Sequence, residues 1–227
     1  MNIFLPGSSE QVKFFLHESP INSQDVILLI GASHFEVANR LAAEYPEKIV
    51  NVVDDYDTLM LSRIGLTAKK IASISFMEFD KLDFPDNTFT AVYAQASISV
   101  EKRVSILEQV KRVLKPEGVL CIGEMVNLKK EVPQFIHDIW NKGEITPLFI
   151  DEVPEYYNNL GFNITAQKQF SLQSFYTNAE KQFKNMQNKD DYQNRVLKRI
   201  KHECNAYLNL GGSKYMGILS ILARNIK

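Results

Sequence analysis

The stretch that decides the fold is Asp25–Asp55, DVILLIGASHFEVANRLAAEYPEKIVNVVDD. It opens on Asp25–Ile30, a short unbroken run of β-branched and aliphatic residues. Such a run fits a strand covered on both faces, as in a parallel sheet. Gly31 ends it, and Phe35, Ala38, Leu41, Ala42 and Tyr45 then recur at helical spacing. Ser33 followed three residues later by Glu36 is a capping box that places the helix start, and Pro46 closes the helix. Ile49–Val53 is a second buried run and ends in Asp54-Asp55. Strand, turn, helix and strand make a βαβ unit, whose crossover is almost always right-handed.

The same rhythm extends outward. Thr58–Gly65 reads as a short helix, Ile71–Phe76 as a third strand, and LDFPDNTF (Leu82–Phe89) as a turn-rich link. Thr90–Ala96 reads as a fourth strand. Val100–Leu114 reads as an amphipathic helix with Val104, Leu107, Val110 and Leu114 on its apolar face, stopped by Pro116 and Gly118. Val119–Gly123 is the fifth strand. Further on, Glu131–Asn141 and Asp151–Asn159 read as helices and Phe162–Gln169 as a strand. Ser174–Leu210 is a long helical excursion with an apolar stripe of Val196, Leu197, Ile200, Cys204, Tyr207 and Leu208. Tyr215–Ala223 is a final strand.

The expected fold is therefore α/β: a Rossmann-like, doubly wound, mostly parallel seven-stranded sheet with an antiparallel C-terminal strand and a helical lid. At 227 residues the chain is expected to form one domain. Its parts are an N-terminal segment (1–24), a core (25–170), a lid insertion (171–212) and the final strand (213–227).

Composition narrows the function classes. Lys and Arg number 26 against 27 Asp and Glu, a net charge of -1, so no general nucleic-acid coat is expected. Cys121 and Cys204 are far apart in sequence and offer neither a disulfide framework nor a zinc motif, which suits a cytoplasmic protein. The opening MNIFLPGSSEQ lacks the basic and apolar segments of a secretory signal, and no apolar run is long enough to span a membrane. The histidines His17, His137 and His202 lack partners at metal spacing, so no metal site is expected.

In an open α/β sheet, ligands bind outside the carboxyl ends of the strands. The loops meeting there are Gly31-Ala32-Ser33-His34, Asp54-Asp55-Tyr56, Glu78-Phe79-Asp80 and Ala94-Gln95-Ala96. The residue types suit a nucleoside. Asp54 or Asp55 can accept two hydrogen bonds from a ribose diol, with capping of the next helix as the plainer role. Glu78 can accept from an exocyclic purine amine, and Phe79 can cover a ring face. His34 is a candidate ligand contact or surface residue. The aromatics Trp140, Tyr156, Tyr157, Phe170, Phe175 and Tyr176 either line a pocket for an apolar or aromatic acceptor or belong to the core.

Met77–Glu124, MEFDKLDFPDNTFTAVYAQASISVEKRVSILEQVKRVLKPEGVLCIGE, resembles the class I S-adenosylmethionine-dependent methyltransferases. The residues that carry the resemblance are Glu78, Leu82, Phe84, Pro85, Asp86, Asn87 and Phe89, then Arg112–Pro116 and Gly118. LPGSSEQVKFFL and FIDEVPEYYNNLGFNI are similar to flanking segments of some members. The resemblance implies S-adenosylmethionine as cofactor and transfer of its methyl group to a small-molecule acceptor, with a homodimer as a candidate assembly. It also implies Glu78 at the adenine, Asp54 or Asp55 at the ribose, Gly31 at the methionine half, and Ala94 and Gln95 beside the sulfonium; Ala32, Ser33 and Phe79 complete the expected cofactor-binding set.

The first loop departs from the family pattern of acid-x-Gly-x-Gly-x-Gly. Leu29 stands at the acid, Ser33 at the second glycine and Phe35 at the third. Loss of the acid removes a charge-assisted hydrogen bond worth roughly 1.5–3 kcal/mol, so weaker or altered cofactor binding is expected. An inactive methyltransferase-like binding module is the competing expectation. A nicotinamide-dependent dehydrogenase is disfavoured, because GASHFE lacks the GxGxxG pattern.

Overall fold

The computed structural model describes residues 5–31, 35–42, 49–56, 59, 74–184 and 201–226. Helix α1 (Ser8–Glu18) precedes strand β1 (Ile27–Ile30), α2 (Phe35–Ala42), β2 (Ile49–Val53) and β3 (Ile74–Phe76). Then come β4 (Phe89–Gln95), α3 (Arg103–Val113), β5 (Leu114–Asn127), α4 (Gln134–Lys142) and β6 (Leu148–Phe149). A short 3-10 turn leads into α5 (Val153–Asn159), and after it the chain forms β7 (Phe162–Phe170) and α6 (Gln173–Lys184). A helix over 201–208 and strand β8 (Met216–Asn225) complete the described chain.

The sheet has eight strands, in the order β3-β2-β1-β4-β5-β8-β7, with β6 paired to β5. The expected seven strands form the continuous path, and the two-residue β6 is the addition. β1 to β5 run parallel, whereas β8 runs antiparallel to both β5 and β7. The capping box at Ser33, the helix expected over Thr58–Gly65 and the stripe residues Val196, Leu197 and Ile200 lie outside the described residues, apart from isolated Leu59. Residues 71–73 of the expected third strand lie outside them as well.

β1 explains the layering. Ile27 and Leu29 enter one core with Val12, Phe15, Val37, Leu41 and Tyr93, under α1 and α2. Leu28 and Ile30 enter the opposite core with Val92, Leu107, Val110, Ile122 and Tyr157, under α3 and α5. All four β1 residues are fully buried, which is why the strand reads as a continuous apolar run rather than an alternation.

The C-terminal excursion builds a third core. Leu172, Tyr176 and Ala179 of the first segment meet Cys204, Ala206 and Tyr207 of the second, against Trp140, Met125, Met216 and Ile218. The Tyr176 and Tyr207 rings lie 4.7 Å apart, and the Leu172 amide donates to the Tyr207 hydroxyl at 3.1 Å. Trp140, Tyr157 and Tyr176 are thus core residues, and Trp140 spends its indole N–H on Asn127 Oδ1 at 2.9 Å. Both cysteines are free and buried, and burial pushes the Cys204 thiol up to about 12, so neither is an activated nucleophile.

Helix α3 differs from expectation. Val104, expected on the apolar face, is 46% exposed, while its neighbour Arg103 is buried. The inward stripe is Arg103, Ile106, Leu107, Val110 and Val113. The cause is a partner no pattern of apolar residues reveals: Arg103 is drawn inward to the buried carboxylate of Glu124. β5 also starts earlier than expected. Leu114 pairs with Phe89 immediately after α3, and a register irregularity between Phe89 and Ala91 absorbs the Lys115–Gly118 segment.

The shifted face has a measurable consequence. Leu107→Ala should cost about 2–5 kcal/mol, and Val104→Ala should stay within about 0.5 kcal/mol, in urea unfolding monitored by circular dichroism. Equal losses would return Val104 to the core.

Candidate functional site

The carboxyl ends of β1 to β4 share one edge of the sheet because those strands are parallel neighbours in register. At the end of β1, Gly31 has φ 127°, a conformation that favours glycine, and its N–H donates to Val52 O at 3.0 Å. Ala32, Ser33 and His34 lie outside the described residues. Leu29, at the position where the family pattern has an acid, is fully buried in the core beneath α1 and α2.

Asp54 and Asp55 come directly after β2 and are both exposed. The Asp55 carbonyl accepts from the Leu59 amide at 3.0 Å, so the backbone turns into a helical step there. Protein crowding on the strand end desolvates the Asp54 carboxyl and holds it above its ordinary value. A backbone hydrogen bond at Asp54 opposes that rise, and the Asp55 charge adds to it.

Beside these carboxylates, Tyr56 and Phe76 are 66% and 47% exposed, and their rings sit 5.7 Å apart at 52°. An exposed aromatic pair at the ends of β2 and β3 is an apolar platform next to two hydrogen-bond acceptors. The Met77 amide continues the ladder to Val53 O at 3.0 Å. Glu78 is exposed and paired with Lys81 at 2.8 Å. Phe79 is 6% exposed and packs in the core beneath this edge. The Lys102 ammonium, 2.9 Å from Asp80, holds that carboxyl below its ordinary value.

The end of β4 also differs from expectation. Ala94 is fully buried in the core. Gln95 is buried too, and its amide is spent on the chain's N-terminal part: Nε2 donates to Pro6 O at 2.7 Å and Ser8 O at 2.9 Å, while Oε1 accepts from the Tyr93 hydroxyl at 2.6 Å. Gln11 Nε2 in turn donates to Ala94 O at 2.8 Å. A Cβ at Gly123 would meet Gln11 Oε1 at 2.0 Å, so glycine there makes room for this docking. The Ala94 carbonyl and the Gln95 side chain together seat α1 on the sheet.

The next groups along the chain are the backbone of Ala96 and the side chain of Ser97, whose Oγ donates to Ile30 O at 2.6 Å and ties this loop to the end of β1. The sequence pattern gives no sign of Ser97 or of the exposure of Phe76. For the buried Glu124 it carries one signal, a carboxylate inside the apolar run CIGEMV. Among the described residues no group of three His, Cys, Asp or Glu side chains could hold a metal ion, and no helix is long and apolar enough to cross a membrane.

Comparison with known proteins gives a family-model match, curated relatives and solved structures of the same fold. Residues 28–122 match the family model of a methyltransferase domain. An uncharacterized methyltransferase of Oceanobacillus iheyensis is 25% identical over 142 residues, 63% of this chain and 66% of that protein. The chain spans 34% of a second curated relative. Among solved structures, the cyclase SpnF is similar with a TM-score of 0.77, at 19% identity over 96% of this chain and 80% of that one. Phosphoethanolamine N-methyltransferase 2 of Haemonchus contortus, in complex with phosphomonomethylethanolamine and S-adenosylhomocysteine, has a TM-score of 0.76 at 11% identity, over 98% of this chain and 54% of that one. The solved structures share the fold, and the family match covers the strands that carry the site.

The raised Asp54 carboxyl fixes a sign. It binds its proton more tightly in the folded than in the unfolded chain, so its ionisation opposes folding. That opposition is absent below the unfolded value and complete once pH exceeds the folded one. Asp54→Asn should therefore raise the melting temperature at about pH 7 and raise it less at about pH 4.5. A fall at neutral pH would contradict the desolvation.

Proposed function

We propose that this chain is a class I S-adenosylmethionine-dependent methyltransferase that transfers the methyl group of S-adenosylmethionine to a small-molecule acceptor. The observation that carries this reading is the convergence, at one edge of the sheet, of the Gly31 turn, the Asp54 and Asp55 carboxylates and the exposed Tyr56–Phe76 pair. These residues suit the nucleoside half of the cofactor. Asp54 or Asp55 accepts the ribose hydroxyls, and the exposed rings offer the base an apolar face. Glu78 accepts from the exocyclic amine once Lys81, its surface partner, swings aside. The methionine half then lies between Gly31 and the Ala96–Ser97 backbone.

When bound, the cofactor supplies a methyl group on a positively charged sulfur, open to attack by an acceptor lone pair. The chain's contribution is proximity and orientation, both raised by the fixed backbone at the ends of β1 and β4. Leu29 leaves the cofactor's ammonium without the carboxylate found in the family pattern, so affinity falls below that of relatives with the acid. An inactive binding module has that same leucine in its favour. The rim carboxylates weigh against it.

In this reading the whole chain is one unit, with the described parts of the insertion, 171–184 and 201–212, as a lid beside the core that carries the cofactor. The free, buried cysteines fit a reducing compartment such as the cytoplasm.

Titration calorimetry with S-adenosylhomocysteine tests the reading. Binding is expected for the wild-type chain, and Asp54→Ala or Asp55→Ala should weaken it by roughly 10–100-fold, the loss of a charge-assisted hydrogen bond. Absence of heat at millimolar ligand would overturn the function, and unchanged affinity in both variants would overturn the ribose assignment alone.

A further inference from the structure

The structure buries a second charged cluster behind the rim. Glu124 is fully buried in β5, on the sheet face covered by α3 and α5. Its carboxylate accepts from the Ser99 hydroxyl and the Tyr157 hydroxyl. Arg103 approaches it with Nε 3.0 Å from Oε1 and Nη2 3.4 Å from Oε2. Arg103 also donates to Thr146 O, and its guanidinium lies 5.7 Å from the centre of the Tyr156 ring. Ser99 is held by two further bonds: its Oγ accepts from the Met125 amide and its carbonyl from the Thr146 amide, each at 2.9 Å. A buried ion pair adds little net stability relative to apolar packing, so stability alone does not account for this cluster.

Its position does. Ser99 belongs to the loop over 96–102, which leaves the carboxyl end of β4. The other end of that loop is clamped as well. Ser97 Oγ donates to Ile30 O at 2.6 Å, next to Gly31, and the Ala96 amide donates to Gly123 O at 2.9 Å. Ala96 has φ 55°, a conformation a non-glycine residue keeps only where its surroundings enforce it. The loop is thus stretched between the end of β1 and a carboxylate that also holds Arg103 at the start of α3 and Tyr157 of α5, with Thr146 bonded to both Ser99 and Arg103.

We propose that Ser99, Arg103, Glu124 and Tyr157 form a positioning device that fixes the 96–102 backbone against the methionine half of the bound cofactor. The proposal rests on the methyltransferase reading. These are positioning residues: they act through the loop and touch neither cofactor nor acceptor. The loop's fixed placement saves the ordering that binding would otherwise require, and it does so only for ligands that reach the loop. S-adenosylhomocysteine reaches it; adenosine stops short.

The test uses the full chain with Ser99→Ala, Glu124→Gln and Tyr157→Phe. Hydrogen exchange in the absence of ligand should quicken across 96–102 while the amides of β1 and β4 stay protected. Calorimetry should show S-adenosylhomocysteine weakened about tenfold, the scale of one lost hydrogen bond, with adenosine affinity unchanged. Should Glu124→Gln fail to fold, Ser99→Ala, which removes one hydroxyl, carries the measurement. Unchanged exchange over 96–102 overturns the device, and so does equal weakening of both ligands, the mark of a merely structural role. If the wild-type chain binds neither ligand, the cofactor reading fails and takes this one with it. Wild-type binding with undiminished preference for S-adenosylhomocysteine in the variants overturns the device alone.

Discussion

Everything at the site depends on the placement of β1 between β2 and β4, parallel to both. Ile27 pairs with Ile49 on one side and Ala91 on the other, and Ile30 pairs with Val52 and Ala94. The chain moves outward from β1 to β2 and β3, then returns across the sheet to β4. That reversal is a topological switch point, the place where open α/β sheets bind their ligands. Gly31 turns away on one side of it, and Ser97 closes back onto Ile30 from the other. Apolar burial on both faces of β1 holds the register. A slip by one residue would exchange Leu28 and Ile30 with Ile27 and Leu29 between two differently shaped cores.

Polar groups around this edge of the sheet fall into two sets with opposite physics. Asp54, Asp55 and Glu78 reach solvent at the rim, with the protein around Asp54 partly desolvating its carboxyl. Gln95, Gln11 and Glu124 are buried and committed to protein partners. The buried set fixes backbone at this edge: Gln95 seats the start of α1 over β4, and Glu124 accepts from Ser99 in the loop after β4. Buried polar groups with named partners are costly to disturb, which suits a fixed wall better than a contact surface.

The fold was legible in the sequence because parallel strands covered on both faces are written as unbroken apolar runs. Ile49–Val53 matches its expected bounds, and β1, β4, β7 and β8 agree to within a few residues. The site was legible only as positions. Ordering the strands placed Gly31, Asp54, Asp55 and Glu78 at the carboxyl edge. It could not tell which side chains were already engaged. Ala94 and Gln95 stood at a strand end beside the cleft, yet the core consumes the first and the docking of α1 the second. Phe79 is likewise packed in the core. Val104 failed because helical periodicity counts apolar residues alone, whereas the buried carboxylate of Glu124 on β5 draws in Arg103 instead. Long-range pairing of opposite charges leaves no local trace in the chain.

The most direct measurement of the central claim is a crystal structure of the chain soaked with S-adenosylhomocysteine. The account predicts ligand density at the carboxyl edge, with the ribose hydroxyls on the carboxylate of Asp54 or Asp55 and the homocysteine half between Gly31 and Ser97. Density at another surface, or a crevice filled by the chain's own side chains with both carboxylates turned away, would contradict it.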